Sequence, residues 1–201
     1  MYLASYILCL QKAEDIFKKK IPCYKERDEN ARKIFLEEIR QVPEKDRIYL
    51  DESGINKYLT REHARALRGI SVYGAISGLK YARESFIAAQ GNGKILSPFC
   101  FRGTCNTELF NMWIREFLIP ALKPSQVVIM DNASFHKSPE TKRLLQDAGC
   151  RILFLPPYSP DLNPIEIFWA NLKKKVQGLL EKIKGIKLAQ AIDFAFSELS
   201  V

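Results

Sequence analysis

Val127-Val-Ile-Met-Asp131-Asn-Ala-Ser-Phe-His136 is four apolar residues in a row, followed at once by a carboxylate and a polar run. An unbroken apolar run of that length reads as a strand covered on both faces of a sheet. In open α/β sheets the chemistry collects where strands end, so the Asp closing this strand is a candidate site residue. Upstream, Arg47-Ile-Tyr-Leu-Asp51 is a short strand that also stops at an Asp. Downstream, Arg151-Ile-Leu-Phe-Leu155 is another buried strand. Two further strands are expected over 70–76 and 81–88, turned at Ser77-Gly78.

Helical spacing fills the intervals. Residues 24–40 carry Ala31, Ile34, Phe35 and Ile39 on one face, and Pro43 closes the pattern. Residues 107–122 place apolar side chains at 109, 110, 113, 114, 117 and 118. A polar helix is expected over 139–148, and a proline-rich loop (Pro156, Pro157, Pro160) leads into a helix over 164–180. Three adjacent strands, then helix, strand, helix, strand, helix, predict an α/β fold with one mixed five-stranded sheet flanked by helices.

The 201 residues are 47% hydrophobic and 27% charged, which excludes a disordered or low-complexity chain. No apolar run approaches the roughly 20 residues of a membrane span. Residues 1–10 are short, with no basic stretch ahead of them and no cleavage site, so a soluble, unexported, cytoplasmic protein is expected. Lys and Arg number 31 against 23 Asp and Glu, a net charge of +8 that favours polyanions, nucleic acid first. Of five cysteines, Cys100 and Cys105 have neither a second pair nor a nearby His to complete a metal site; reduced, idle thiols are expected.

Three carboxylates stand out by context: Asp51 in Tyr49-Leu-Asp-Glu-Ser-Gly54, Asp131, and Glu166 in Asp161-Leu-Asn-Pro-Ile-Glu166. Phosphoryl transfer on DNA is well served by two divalent cations about 4 Å apart, and hard cations such as Mg²⁺ or Mn²⁺ take oxygen ligands. Strand-end Asp residues supply fixed ligands, and a Glu on a helix can close the site from the side. Each has a plainer alternative. An Asp after a strand is commonly a turn residue. Glu166 also stands at capping-box spacing from Asn163, with Pro164 at the first helical position. Against that, Glu166 lies about 100° around the helix from Ile165, at the edge of the apolar stripe of Ile165, Phe168, Trp169, Leu172, Val176 and Leu179.

The run Leu155-Pro-Pro-Tyr-Ser-Pro-Asp-Leu-Asn-Pro-Ile-Glu166 resembles the third catalytic block of mariner-superfamily transposases, more narrowly of their bacterial insertion-sequence branch. Asp131 to His136 resembles the second block and Tyr49 to Gly54 the first. The 34 residues between Asp131 and Glu166 are the interval of that branch. The resemblance implies a ribonuclease H-like fold with the strands of Asp51 and Asp131 side by side. It implies that Asp51, Asp131 and Glu166 are a catalytic triad binding two Mg²⁺ (or Mn²⁺). The activity it implies is cleavage of DNA at the ends of an insertion sequence, then transfer of the freed 3′-OH to a TA target. The partners implied are the terminal inverted repeats and, on DNA, a second copy of the chain; the location implied is the bacterial cytoplasm, on the nucleoid.

Around the triad, Asn132 either bonds neighbouring backbone or assists Asp131. His136 contacts substrate phosphate, orients a metal ligand, or packs the loop. Lys173, Lys174 and Lys175 form either a solvated helix face or a path for the DNA backbone. Arg61, Arg65 and Arg68 are candidates for a further DNA contact or for a dimer contact. Glu52 and Asp161 are read as local turn groups or as support for the site. Residues 1–45 are expected to be a helical arm and 46–201 the catalytic domain. Relatives carry a helix-turn-helix region ahead of the first strand, and roughly 45 residues do not hold two trihelical modules, so the catalytic half of a split, frameshifted or truncated transposase is expected. Two other classes compete: a metal-dependent nuclease of the same fold without strand transfer, and a non-catalytic DNA-binding remnant.

Overall fold

The structure is a computed structural model, and it describes residues 26–56 and 83–199. Its centre is a five-stranded sheet of β1 (Arg47–Asn56), β2 (Arg83–Gly91), β3 (Lys94–Arg102), β4 (Val127–Met130) and β5 (Arg151–Phe154), in the order β3-β2-β1-β4-β5. The β1–β2 and β2–β3 pairs are antiparallel, while β1–β4 and β4–β5 are parallel. The sheet is therefore mixed, and the strands of Asp51 and Asp131 are neighbours. All four residues of β4 are buried, as an unbroken apolar run in a central strand requires.

Helices cover both faces. On one lie α2 (Thr107–Trp113, continuing as a π turn to Leu118) and α3 (Pro139–Asp147), packed on Ile48, Leu50, Val128 and Met130. On the other lie α1 (Glu29–Arg40), α4 (Ile165–Lys182) and α5 (Leu188–Leu199). There α4 and α5 pack on Ile55, Phe86 and Ala88, and α1 packs on Val127 and Ile129. The α1 helix begins later than its apolar spacing suggests, because the Asp28 carboxylate accepts the N–H groups of Asn30 and Ala31 and fixes the start. Its buried face is Arg32, Phe35 and Ile39, and Ile34 is exposed.

Two departures from the sequence reading have local causes. The α2 helix widens into a π turn because Pro120 has no N–H to donate back into the turn before it. The shift in phase leaves Phe110, Trp113, Ile114 and Leu118 fully buried and Phe117 partly exposed. β3 is the second departure: none of the strands expected from the sequence covers it. Its signal is Asn92-Gly93, with φ of 50° and 74°, the two left-handed positions of a tight hairpin turn. Inside β3 the alternation is broken by Ser97 (φ 51°) and Pro98, which an edge strand tolerates. The strand expected over 81–88 is β2; the strand over 70–76 and the turn at Ser77-Gly78 lie outside the described residues.

Candidate active site

Asp51 is not the last residue of its strand, as the sequence pattern suggests. β1 runs on to Asn56, paired with β2 throughout, but its ladder with β4 ends at Tyr49 opposite Ile129. The constant offset of that ladder sets Asp51 level with Asp131, the first residue past β4. Beyond this point β1 has an open side, and the gap is a cleft of about 390 Å³. Its lining includes Asp51, Asp131, Asn132, Asn163 and Glu166, with the loop from Leu155 to Pro160 as one wall. The three carboxylates of the three sequence blocks thus line one cavity.

Glu166 reaches it from the first turn of α4. The capping box that competes for this residue does not form: no side chain caps the helix, and Pro164 takes the cap position. The first turn closes through Glu166 N–H to the Asn163 carbonyl and Ile167 N–H to the Pro164 carbonyl, both 3.2 Å. Glu166 is left exposed at the cleft. The Asn163 side chain is buried instead, and its Oδ1 has no hydrogen-bond partner.

The other two carboxylates are held. Asp51 Oδ1 accepts the N–H of Glu52 at 2.9 Å, and Oδ2 accepts the indole N–H of Trp169 at 3.2 Å. Burial first, and then the negative charges of Glu166, Glu52 and Asp131, push the Asp51 carboxyl up to about 7. Asp131 Oδ1 accepts the N–H of Ala133 at 2.8 Å and meets His136 Nδ1 at 2.6 Å. Burial works against the Asp131 carboxylate, but the hydrogen bonds from His136 and Ala133 and the positive charges of His136 and Lys137 together outweigh it and hold this carboxyl below its usual range. For His136 burial opposes the charged ring, and the hydrogen bonds to Asp131 and Glu52 override it and lift the pKa to about 9.

A divalent cation fits this donor set. The ligands on offer are carboxylate oxygens, suited to hard ions, and their mutual repulsion at Asp51 is what a bound cation relieves. The wall residue Asn163 has a buried amide oxygen, Oδ1, without a hydrogen-bond partner. Among the described residues, no three His, Cys, Asp or Glu side chains stand together in the geometry of a single-ion site.

Residues 46–187 match the family described as DDE superfamily endonuclease. The chain belongs to that family. Among solved structures, it is similar to the Mos1 transposase paired-end complex with left transposon end, with a TM-score of 0.59 at 14% identity, over 98% of this chain and 67% of that one. The Mos1 mariner paired-end complex with Mn gives 0.58 at 14% identity, over 97% and 67%. A simian T-cell lymphotropic virus intasome in complex with PP2A regulatory subunit B56 gamma gives 0.52 at 14% identity, over 76% and 47%. Identities this low establish the fold, which is ribonuclease H-like. No curated protein sequence matches the chain.

The remaining site candidates of this DDE domain are placed as follows. Asn132 lines the cleft, but its amide donates to the carbonyl of Leu155 and ties the ends of β4 and β5. His136 is 0% exposed with both ring nitrogens engaged, so its geometry is that of a group holding Asp131, not one facing a substrate phosphate. Lys173 is half-buried on α4, and Lys174 and Lys175 are exposed, with Lys175 paired to Glu198 of α5. Arg61, Arg65 and Arg68 lie outside the described residues. Cys100, Cys105 and Cys150 are free thiols, and burial pushes the first two up to about 12, far from reactive thiolates.

Two supporting residues escape the sequence reading. Trp169 hides in an apolar stripe, where nothing marks its N–H as a partner for Asp51. Asn163 reads as a cap and is not one. Asp161, read as a turn group or as support for the site, has a partner the sequence reading does not name: it binds Arg32 in α1, 129 residues away. Here a signal existed: an Arg at the buried spacing of Phe35 and Ile39 needs an acid to meet it.

Proposed function

We propose that this chain is the catalytic domain of an insertion-sequence transposase, cutting DNA at an element's ends and joining the freed 3′-OH to target DNA. The observation that carries the reading is the meeting of Asp51, Asp131 and Glu166 in one cleft, where β1 and β4 part and α4 begins. The interval of 34 residues between Asp131 and Glu166 supports the insertion-sequence branch within the family.

On this reading Asp51, Asp131 and Glu166 hold two Mg²⁺ or Mn²⁺ ions. When bound, these supply an activated water or 3′-OH and stabilise the charge that builds on the attacked phosphate. The chain's own part is positioning. Trp169 and the Glu52 backbone fix the Asp51 carboxylate, and the Ala133 backbone with His136 fixes Asp131. The rigid loop over Pro156, Pro157 and Pro160 walls the cleft and sets the approach to Glu166. Lys173 to Lys175, leading away from the site along α4, give the DNA backbone a cationic path. Element ends, a TA target and a second copy of the chain on DNA are the partners proposed, in the cytoplasm on nucleoid DNA. No helix among the described residues is long and apolar enough to cross a membrane.

The test is a strand-transfer assay with a pre-cleaved duplex bearing a recessed-strand 3′-OH, a target plasmid and Mn²⁺. Covalent joining of the duplex to the plasmid is expected. Plasmid nicking without joining makes the chain a nuclease of the same fold, and binding with neither makes it a DNA-binding remnant.

A further inference from the structure

β1 carries two adjacent carboxylates, and the pleat of the strand sends them to opposite faces of the sheet. Asp51 turns to the cleft, where the Trp169 N–H meets it. Glu52 shares its face with Ile48 and Leu50, the face covered by α2. There its Oε1 accepts the Nε2–H of His136 at 2.9 Å, and Nδ1–H of the same ring reaches Asp131 Oδ1 at 2.6 Å. The ring is wholly buried against Phe110 and Phe135, each with its centroid 4.4 Å away. An imidazole with a carboxylate at each nitrogen and two aromatic rings packed against it has one orientation open to it.

The place of this chain of bonds in the sheet is what gives it a role. The parallel ladder that joins β1 to β4 ends at Tyr49 and Ile129. Past that point no backbone pairing spans the two strands, yet the cleft carboxylates stand there and repel one another, as the raised Asp51 shows. Glu52–His136–Asp131 crosses the gap on the rear side. Both bonds to Asp131, from Ala133 and from His136, fall on Oδ1, which leaves Oδ2 for a ligand in the cleft that Asp131 lines.

We propose that Glu52 is a positioning residue of the site, fixing the Asp131 carboxylate from behind the sheet, through His136, in the orientation that holds a divalent cation. The proposal rests on reading Asp131 as a metal ligand. Neither Glu52 nor His136 lines the cleft, so their influence on a cation is indirect. Hydrogen-bonded partners of ligating side chains commonly account for tenfold to a hundredfold in metal affinity.

The experiment is a Mn²⁺ titration of the chain followed by electron paramagnetic resonance, with thermal unfolding recorded on every variant. Glu52→Ala should bind Mn²⁺ about tenfold to a hundredfold more weakly than wild type while remaining folded. Glu52→Gln, which keeps an oxygen to accept the imidazole N–H, should bind close to wild type. If Glu52→Ala does not fold, Glu52→Met fills the space without an acceptor and carries the same expectation. Unchanged affinity in the variant without an acceptor, or equal loss in it and in Glu52→Gln, overturns the proposal. Asp131→Asn is run in parallel: if it binds Mn²⁺ as wild type does, the metal reading itself fails. If it loses Mn²⁺ while Glu52→Ala keeps it, the positioning role alone fails.

Discussion

Arg32 and Asp161 meet fork to fork, with Nη1 on Oδ1 at 3.0 Å and Nη2 on Oδ2 at 2.8 Å. The Arg is buried in the face that α1 turns to the sheet, and the Asp sits on the single 3₁₀ turn Pro160–Leu162. Asp161 is five residues before Glu166, so α1 anchors the segment from which a catalytic candidate projects. Paired, planar hydrogen bonds of this kind are specific as well as strong. Arg32→Met should lower unfolding free energy by roughly 1–2 kcal/mol, toward the modest end because Asp161 is half exposed. Urea denaturation of wild type and variant measures it.

The same pair predicts a pH dependence. Hydrogen bonds from Arg32 hold the Asp161 carboxyl below its ordinary 3.8. A carboxyl with a lower pKa in the folded state adds stability that is complete above its unfolded pKa and is lost as pH falls through the folded one. The stability gap between wild type and Asp161→Asn should therefore be constant near neutral pH and shrink below about pH 4. A gap that stays constant to pH 2.5 on this ~pH scale contradicts the assignment.

Trp169 serves the core and the site at once. Its ring packs on Phe86 at 5.0 Å and Phe168 at 5.3 Å between centroids, and its N–H is bonded to Asp51. Trp169→Phe keeps most of the packing and removes the donor. It should cost about 1–2 kcal/mol of stability yet reduce metal-dependent cleavage more than that loss explains. Trp169→Ala should cost roughly 3–5 kcal/mol. Chemical denaturation alongside plasmid nicking separates the two effects.

On α4 the lysines are not equivalent. Lys173 stands two turns beyond Glu166 on the same side of the helix, whereas Lys175 is engaged by Glu198. If the cationic path carries DNA, Lys173→Ala should lower the slope of log affinity against log salt by about 0.9, and Lys175→Ala by less. Fluorescence anisotropy on a random duplex over a salt series measures both slopes.

The sequence makes the central part of this molecule legible because its signals are local. Val127 to Met130 can only be a covered strand, and the carboxylate after it falls where the cleft opens. β3 escapes because Ser97 and Pro98 break its alternation, although Asn92-Gly93 announces the hairpin. The reach of β1 past Asp51 escapes because Glu52-Ser53-Gly54 has no apolar period; its strand conformation comes from pairing with β2. What no local pattern carries is the long-range support, in which Arg32 finds Asp161, Trp169 finds Asp51 and Glu52 finds His136. Each pairing depends on which elements the sheet order brings together.

The central claim is that Asp51, Asp131 and Glu166 together perform metal-dependent phosphoryl transfer on DNA. The most direct measurement is Mn²⁺-dependent nicking of supercoiled plasmid by wild type and by Asp51→Asn, Asp131→Asn and Glu166→Gln, each shown to be folded by circular dichroism. Wild type should nick with Mn²⁺ and not with EDTA, and each substitution should abolish nicking while leaving plasmid binding largely intact. Nicking that persists in EDTA, or that survives replacement of any one of the three carboxylates, would contradict the claim.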